Sequence, residues 1–164
     1  MVIEHQMLSY NYVLSYKTKI DDKIIPDMLK SIKENIAVID LEICGNLILT
    51  KHDETTEFLI PVDREFEGNQ HYVFKPGFKL VNAARQRYYG KLDNIDAGLK
   101  ELNSHISKHS LTPITNFYIM EVDSDNGVYD IFVGISENVL WKSGAISCES
   151  SLIFVYMAKM IYVF

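Results

Sequence analysis

The stretch RQRYYGKLDNIDAGLKELNSHI, residues 85–106, indicates a duplicated fold because the chain carries a weaker copy of it, SYKTKIDDKIIPDMLKSIKENI, at residues 15–36. Both copies space their apolar residues so that a helix has one apolar stripe. The second set follows the first by 70 residues: Ile25, Leu29, Ile32 and Ile36, then Ile95, Leu99, Leu102 and Ile106. Helix N-termini typically carry Asp or Asn, and these residues occur before the two helices in KIDD (19–22) and KLDN (91–94). The repeat predicts two equivalent helices.

Each predicted helix lies between segments that are typical of strands. One strand precedes each helix, at residues 7–17 and 78–90. A strand, a polar turn and a second strand follow each helix, at residues 46–63 and 116–136. The SDNG turn in the last segment favours a hairpin because Asn and Gly tolerate positive φ. The chain is therefore predicted to form a β-α-β-β unit twice.

This duplication predicts one α+β domain. We place the first repeat at residues 1–66, a linker at 67–77, the second repeat at 78–136 and an apolar C-terminal extension at 137–164. A single unit cannot bury both a helix stripe and a sheet face. We therefore expect the two units to join edge to edge into one antiparallel sheet, with two helices on one face and a concave opposite face.

Composition limits the classes of function. The 164 residues carry a net charge of −6 with scattered basic residues, whereas nucleic-acid binding needs clustered Lys and Arg. Cys44 and Cys148 lack CxxC spacing and the N-terminus shows no signal peptide, which favours the cytoplasm. The most apolar segment, residues 151–164, is shorter than the roughly 20 residues of a transmembrane helix, so we expect no stable membrane span. No GxGxxG or GxSxG motif is present, and we expect no cofactor.

Three segments of the second half follow one another as in a known superfamily: ARQRYYGKLDNIDAGLKEL (84–102), LTPITNFYIMEVD (111–123) and VYDIFVGIS (128–136). They resemble the GyrI-like superfamily, the effector-binding domains of gyrase inhibitor proteins and multidrug-sensing regulators. The resemblance implies this fold and a small-molecule site. Drug-binding members carry a Glu in the strand after the Pro. The simplest alignment puts Tyr118 at that position, and Glu121 is the nearest carboxylate.

Aromatic residues are the main ligand-binding candidates. Tyr10, Tyr12 and Tyr16 alternate along the predicted strand 7–17 and are expected to share one face. We expect an aromatic cleft between the two halves, in which rings stack on a ligand and hydroxyl groups orient it. The expected ligand-binding residues are Tyr10, Tyr12, Tyr88, Tyr118, Glu121 and Tyr129. The alternative is that these rings fill the core or cover a half-exposed sheet.

Two further constellations of polar residues have an ordinary structural explanation. Glu57 and Asp130 occupy corresponding positions in the last strands of the two repeats, where burial would raise a carboxyl pKa and suit acid–base work. The alternative is a solvated strand face. His105 and His109 lie one helical turn apart, with Glu101 a turn earlier, but the sequence shows no further ligand converging on them. We therefore predict neither catalytic residues nor a metal site.

The C-terminal extension is too apolar to be exposed to solvent. Its expected partner-binding residues are Trp141, Ile153, Phe154 and Tyr156, which would bind another protein, form a homodimer or add a strand to the sheet. The length, the acidity and the YYGKLDNI segment are also similar to Firmicutes proteins encoded beside LXG-type toxins of type VII secretion, which implies a chaperone or adaptor.

Three functions therefore follow from the sequence, in order of preference. The first is a non-enzymatic binding module that serves as a protein-binding accessory of a secreted toxin. The second is a small-molecule effector-binding domain with an aromatic cleft between the repeats. The third is a hydrolase that uses a carboxylate in that cleft.

Overall fold

The computed structural model describes residues 1–137, which form eight strands and two helices. The strands are β1 Val2–Tyr10, β2 Val13–Thr18, β3 Ile48–His52, β4 Thr55–Pro61, β5 Tyr72–Lys75, β6 Phe78–Tyr89, β7 Leu111–Asp123 and β8 Val128–Glu137. The helices are α1 Ile25–Asn35 and α2 Asp96–Lys108. Among these residues, neither helix is long and apolar enough to cross a membrane.

All eight strands belong to one antiparallel sheet in the order β1-β6-β8-β7-β3-β4-β2-β5. The two β-α-β-β units are β2-α1-β3-β4 and β6-α2-β7-β8, and they meet where β3 pairs with β7. The pairs at this junction are Ile48 with Met120, Leu49 with Ile119 and Thr50 with Tyr118. The predicted α+β fold, with two units joined edge to edge, is confirmed.

Both helices pack on the same face of the sheet through the predicted apolar stripes. Each begins after a 3-10 turn, Asp22–Ile24 before α1 and Leu92–Asn94 before α2, again 70 residues apart. The stripe residues of both helices belong to, or pack against, one core cluster that includes Phe58 and Ile131 from the sheet. A helix stripe on a sheet face removes apolar area from water on both elements. We call this side of the sheet the helix side.

The opposite side carries no helix among residues 1–137, and we call it the helix-free face. Side chains alternate along each strand, so neighbours of the helix-side residues point to this face. They form a second apolar cluster, which contains Val13, Ile48, Leu59, Leu80, Ala83, Met120 and Phe132. All of these residues are buried. The centre of the helix-free face is therefore filled by the protein's own side chains.

The prediction of one strand over residues 7–17 is wrong. The chain turns at Asn11 and Tyr12, and the two parts enter different regions of the sheet: β1 pairs with β6 at one edge, whereas β2 pairs with β4 and β5 near the other. The alternating pattern continues through the turn, so the turn cannot be recognised from the pattern. Residues 67–77, predicted as a linker, contain β5. The edge strands β1 and β5 thus occupy equivalent places, each beside the strand that precedes a helix.

Candidate functional site

The structure divides the six expected ligand-binding residues between the two sides of the sheet. Tyr88, Glu121 and Tyr129 lie on the helix side, where each contacts a helix or faces a cleft beside one. Tyr10 and Tyr118 pack against the cluster of the helix-free face. Tyr12 lies in the turn after β1, with its ring 6.3 Å from that of Phe74. One cleft therefore does not contain the whole expected set.

The three helix-side residues form a row across the sheet. Glu121 on β7 is paired with Tyr129 on β8, and Tyr129 is paired with Tyr88 on β6. The ladder between β7 and β8 shifts its register between Glu121 and Asp123, which is a bulge beside the row. This row reaches from the middle of the sheet to the ring of Tyr88, which packs near Gly98 of α2.

Glu121 is a buried carboxylate held by a cation from a helix. Only 7% of its side chain is exposed, and its Oε2 lies 2.8 Å from Nζ of Lys33 on α1. The Lys33 side chain is 42% exposed. A buried carboxylate requires a cation or hydrogen-bond donors, because desolvation without them costs several kcal/mol. The carboxylate is fixed on a strand, whereas its cation is on a flexible side chain that reaches water.

Two cavities meet at this ion pair. The larger, about 450 Å³, lies between α1 and the β7–β8 hairpin. Its lining residues are Pro26, Asp27, Leu29, Lys30, Lys33, Glu121, Ser124, Asp125 and Tyr129. The smaller, about 310 Å³, lies on the other side of Lys33 and Glu121 and is bounded by the residues before β3 and by Asp123. Lys33 and Glu121 line both cavities, so a movement of the Lys33 amine would change the shape of both.

Tyr129 contributes an aromatic wall and a hydroxyl group to the larger cavity. Burial raises the pKa of Tyr129, and the negative charges of Glu121 and Asp93 raise it further. The phenol therefore stays protonated at neutral pH and can donate a hydrogen bond. An aromatic ring, a donor hydroxyl and a buried carboxylate are thus adjacent on the helix side. This combination can bind a molecule that has an apolar ring and a positive charge.

On the helix-free face, Tyr10 and Tyr118 have partners within the protein. The ring of Tyr118 packs edge-on against Phe78, with centroids 4.9 Å apart. The hydroxyl of Tyr10 donates to Sδ of Met120 over 3.8 Å. Burial raises the pKa of both tyrosines, and the charge of Glu57 adds to the effect at Tyr118. These rings cover the apolar cluster beneath them.

Glu57 lies buried on the helix-free face with several partners. Its Oε1 accepts hydrogen bonds from Nζ of Lys75 and Oγ of Ser15, both at 2.5 Å. Its Oε2 lies 3.0 Å from Nε2 of His52 and 3.8 Å from Nζ of Lys17. Burial acts to raise the pKa of Glu57, but the hydrogen bonds and charges of these neighbours outweigh it, so the pKa is lowered. The raised pKa expected for an acid–base catalyst is absent at Glu57.

Asp130 is the equivalent carboxylate of the second repeat. Its two oxygens accept a bidentate pair of hydrogen bonds, both 2.8 Å long, from Nε and Nη2 of Arg87. Nη1 of Arg85 lies 3.5 Å away. The hydrogen bonds and charge of Asp130 raise the pKa of Arg87. Each buried carboxylate of the helix-free face therefore lies beside two cations, Lys75 and Lys17 at Glu57 and Arg87 and Arg85 at Asp130, which disfavours a cationic ligand on this face.

The sequence matches no protein-family model and no curated protein. Solved structures do match in fold. The C-terminal domain of EcmrR has a TM-score of 0.68 at 12% identity, over 84% of this chain and 98% of that one. The chain in the EcmrR–DNA complex has a TM-score of 0.67 at 11% identity, over 83% of this chain and 58% of that one. A hydrolase from Listeria innocua has a TM-score of 0.51 at 9% identity, over 80% and 90% of the two chains.

At these identities the similarity shows a common fold. The antiparallel eight-stranded sheet with two helices agrees with the GyrI-like fold that the sequence resembles. The narrower resemblance to proteins encoded beside LXG-type toxins stays a prediction. The expected partner-binding residues Trp141, Ile153, Phe154 and Tyr156 lie outside the described residues.

Sequence reasoning missed the cations that hold the buried carboxylates. Lys33 lies on the polar side of the α1 pattern, and its contact with Glu121 spans 88 residues of sequence. Lys75 lies in the segment predicted as a linker. Arg85 and Arg87 lie on β6, whereas their partner Asp130 lies on β8, 43 or more residues later in the sequence. Lys17 pairs with Glu57 in the first repeat, and Arg87 pairs with Asp130 in the second. An alignment of the two repeats relates these two pairs to each other.

Proposed function

We propose that this chain is a small-molecule-binding domain whose ligand occupies the helix-side cavities around Glu121. The observation that carries the proposal is a fixed, buried carboxylate at the meeting point of two cavities, paired with the amine of the flexible, partly exposed Lys33. A ligand cation that replaced this amine would keep the carboxylate paired. Lys33 would then return to water, where its ammonium group is well hydrated.

The charges around the larger cavity favour a cationic ligand. Three carboxylates, those of Asp27, Glu121 and Asp125, face two amines, those of Lys30 and Lys33. Once Lys33 leaves, the excess of negative charge grows by one. The ring of Tyr129 adds an apolar and cation-attracting surface. We therefore infer that the ligand combines an aromatic or apolar body with a positive charge.

A hydrolase that uses Glu57 or Asp130 has less support. Neighbouring cations lower the pKa of Glu57, which is the opposite of what a general acid needs at neutral pH, and both oxygens of Asp130 are occupied by hydrogen bonds from Arg87. The fold shared with a hydrolase from Listeria innocua does not transfer a reaction to this chain. We accordingly infer a binding role.

The proposal is tested by titrating the purified chain with rhodamine 6G, an aromatic cation, and following its fluorescence anisotropy. The variant Glu121→Gln keeps the size of the side chain but removes its charge, and we expect at least about tenfold weaker binding, since loss of one partner of a buried charge pair costs 2–5 kcal/mol. Lys33→Met removes the competing amine and should tighten binding. The anionic dye fluorescein, which has the same ring system, should bind more weakly than rhodamine 6G.

Two control variants distinguish the faces of the sheet. Tyr129→Phe removes a hydroxyl at the helix-side cavity, whereas Tyr118→Phe removes one on the helix-free face. We expect only the first to alter the affinity. Glu54→Gln, in the exposed pair with Lys19, should have no effect. Equal binding by wild type and Glu121→Gln, or an effect confined to Tyr118→Phe, would refute the proposed site.

The protein-binding accessory favoured by the sequence rests on the apolar segment 151–164. We propose it as a second function, in which this segment docks on a partner protein because so many apolar side chains need cover. Co-expression with the product of a neighbouring gene, followed by size-exclusion chromatography, tests it. A stable complex that survives deletion of residues 151–164 would contradict this role of the segment.

A further inference from the structure

Three potential metal ligands from distant parts of the sequence converge beside the C-terminal end of α2. Nε2 of His105 lies 2.6 Å from Oε1 of Glu4, and Nδ1 of His109 lies 3.9 Å from the same oxygen. The two imidazole rings are stacked, with centroids 4.1 Å apart. One ligand atom from each residue lies within 4.8 Å of the other two. This cluster lies outside both the Glu121 cavities and the helix-free face.

The fold brings the three residues together by two separate devices. His105 and His109 are four residues apart, so they lie on the same side of α2 in adjacent turns. Glu4 belongs to the edge strand β1, whose register against β6 shifts on either side of Gln6. His5 has a positive φ of 56° at this irregularity. A bulge of this kind re-aims side chains, and here the carboxylate of Glu4 meets the helix.

Glu101, one turn before His105, is engaged elsewhere. Its Oε2 accepts a hydrogen bond from Nε2 of Gln86, and its Oε1 lies 3.6 Å from the N-terminal amine. The third residue of the cluster is therefore Glu4, which sequence spacing does not reveal because it lies 101 residues before His105.

We propose that Glu4, His105 and His109 form a binding site for a divalent zinc ion. Two imidazole nitrogens and one carboxylate oxygen are a ligand set that Zn²⁺ accepts at about 2.0–2.2 Å. Tetrahedral ligands at this distance are separated by about 3.3 Å, and the two distances from Glu4 Oε1, 2.6 and 3.9 Å, lie on either side of that value. Binding therefore requires the Glu4 and histidine side chains to rotate so that both distances approach this value. Three protein ligands leave a fourth position for water.

A bound ion would connect the edge strand β1 to helix α2. Glu4 is on the strand, and both histidines are on the helix. Binding to the folded state alone stabilises it in proportion to the logarithm of the ion concentration over the dissociation constant. Zinc should therefore raise the melting temperature of the wild-type chain, and the rise should depend on all three residues.

The test is a calorimetric titration of the metal-free, full-length chain with ZnCl₂, repeated on three variants. We expect one ion per chain for the wild type and at least about tenfold weaker binding for Glu4→Gln and for His109→Ala, because even outer-shell changes cost that much. His105→Ala should behave alike, but this residue is partly buried, so His109→Ala, at an exposed position, is the safer test of the helix ligands. Circular dichroism without metal confirms that each variant folds.

Two control variants remove other metal-binding groups. His71→Ala deletes an exposed histidine before β5, and Cys44→Ser deletes an exposed thiol. We expect neither to change the affinity. The proposal is overturned if the wild type takes up no zinc at micromolar concentration, if His109→Ala binds as the wild type does, or if Glu4→Gln retains full affinity. Co²⁺ provides a second readout, because its visible spectrum reports the coordination geometry directly.

Discussion

Glu57 and Asp130 are buried carboxylates at equivalent positions, and the two repeats compensate their charge with different residues. Each carboxylate is buried on the strand that ends its repeat, and each faces a cation on the strand that precedes the helix, Lys17 or Arg87. The first repeat recruits Lys75 of β5 as an additional cation. The second uses the bidentate geometry that a guanidinium group allows. The cation lies at the equivalent position in both repeats, but it is an amine in the first and a guanidinium group in the second.

We predict that Glu57→Gln lowers the free energy of unfolding by about 1–3 kcal/mol at neutral pH, because hydrogen bonds to a charged group are lost. The folded pKa of Glu57 is lowered, so its contribution is present above the ordinary value of 4.5 and is lost as the pH falls through the folded pKa. Urea unfolding at neutral pH and well below pH 4.5 should show the difference between wild type and variant shrinking in acid.

The matched control for this prediction is Glu54→Gln in the exposed pair with Lys19. Surface ion pairs contribute about 0–1 kcal/mol, so this variant should unfold much like the wild type at either pH. A difference for Glu57→Gln that stays constant across the pH range would show that the ionised carboxylate is not the source of the stability.

At the scale of elements, α2 fits closely over β6 and β8 through a single glycine. A Cβ on Gly98 would lie 2.6 Å from Cδ1 of Ile131 and 3.1 Å from Cδ2 of Tyr88. The helix accepts a residue of poor helix propensity here because the sheet approaches it so closely. This contact also fixes the position of Tyr88, the outer end of the row that begins at Glu121.

We therefore predict that Gly98→Ala destabilises the protein although alanine favours helices. The gain in helix propensity is about 1 kcal/mol, whereas overpacking a buried site costs about 1–3 kcal/mol. Ser104→Ala, at an exposed position of the same helix, provides the comparison and should be neutral or slightly stabilising. Thermal unfolding measures both, and a higher melting temperature for Gly98→Ala would contradict the close packing.

At the scale of the whole molecule, the two halves share their cores. The helix-side cluster contains residues of both repeats, such as Phe58 and Ile131, and the cluster of the helix-free face does so as well. The sheet continues across the junction of β3 with β7. Neither half buries its apolar surface without the other, so we expect the described part of the chain to unfold as one cooperative unit.

The corresponding prediction concerns Ile119, which is 4% exposed at the junction. Ile119→Ala should lower the free energy of unfolding by about 2–5 kcal/mol through the cavity that it leaves. Ile114→Ala on the same strand, where the side chain is 63% exposed, should change it far less. Circular dichroism and tyrosine fluorescence should report the same transition, and two separate transitions would show that the halves fold independently.

The repeat made the fold predictable because both helices carry the same apolar stripe at the same spacing, and the strand patterns beside each helix supply a sheet on which the stripe can be buried. The paths of the edge strands were not predictable. Residues 7–17 alternate without interruption, yet the chain turns at Tyr12, and the break appears only in the pairing of β1 with β6. The alternation of side chains along a strand shows which face of the sheet each residue occupies, but it does not show which strand pairs with it.

Local patterns in the sequence are enough to predict the duplicated unit, the two helices, their common face and the aromatic and acidic candidates. The folded structure is needed to show how these candidates are divided between the two sides of the sheet, which cations pair with the buried carboxylates, and that Glu4 meets the histidines of α2. The physical reason is that apolar periodicity is a local property of the chain. Ion pairs and ligand sets instead depend on contacts between residues that the fold brings together from far apart.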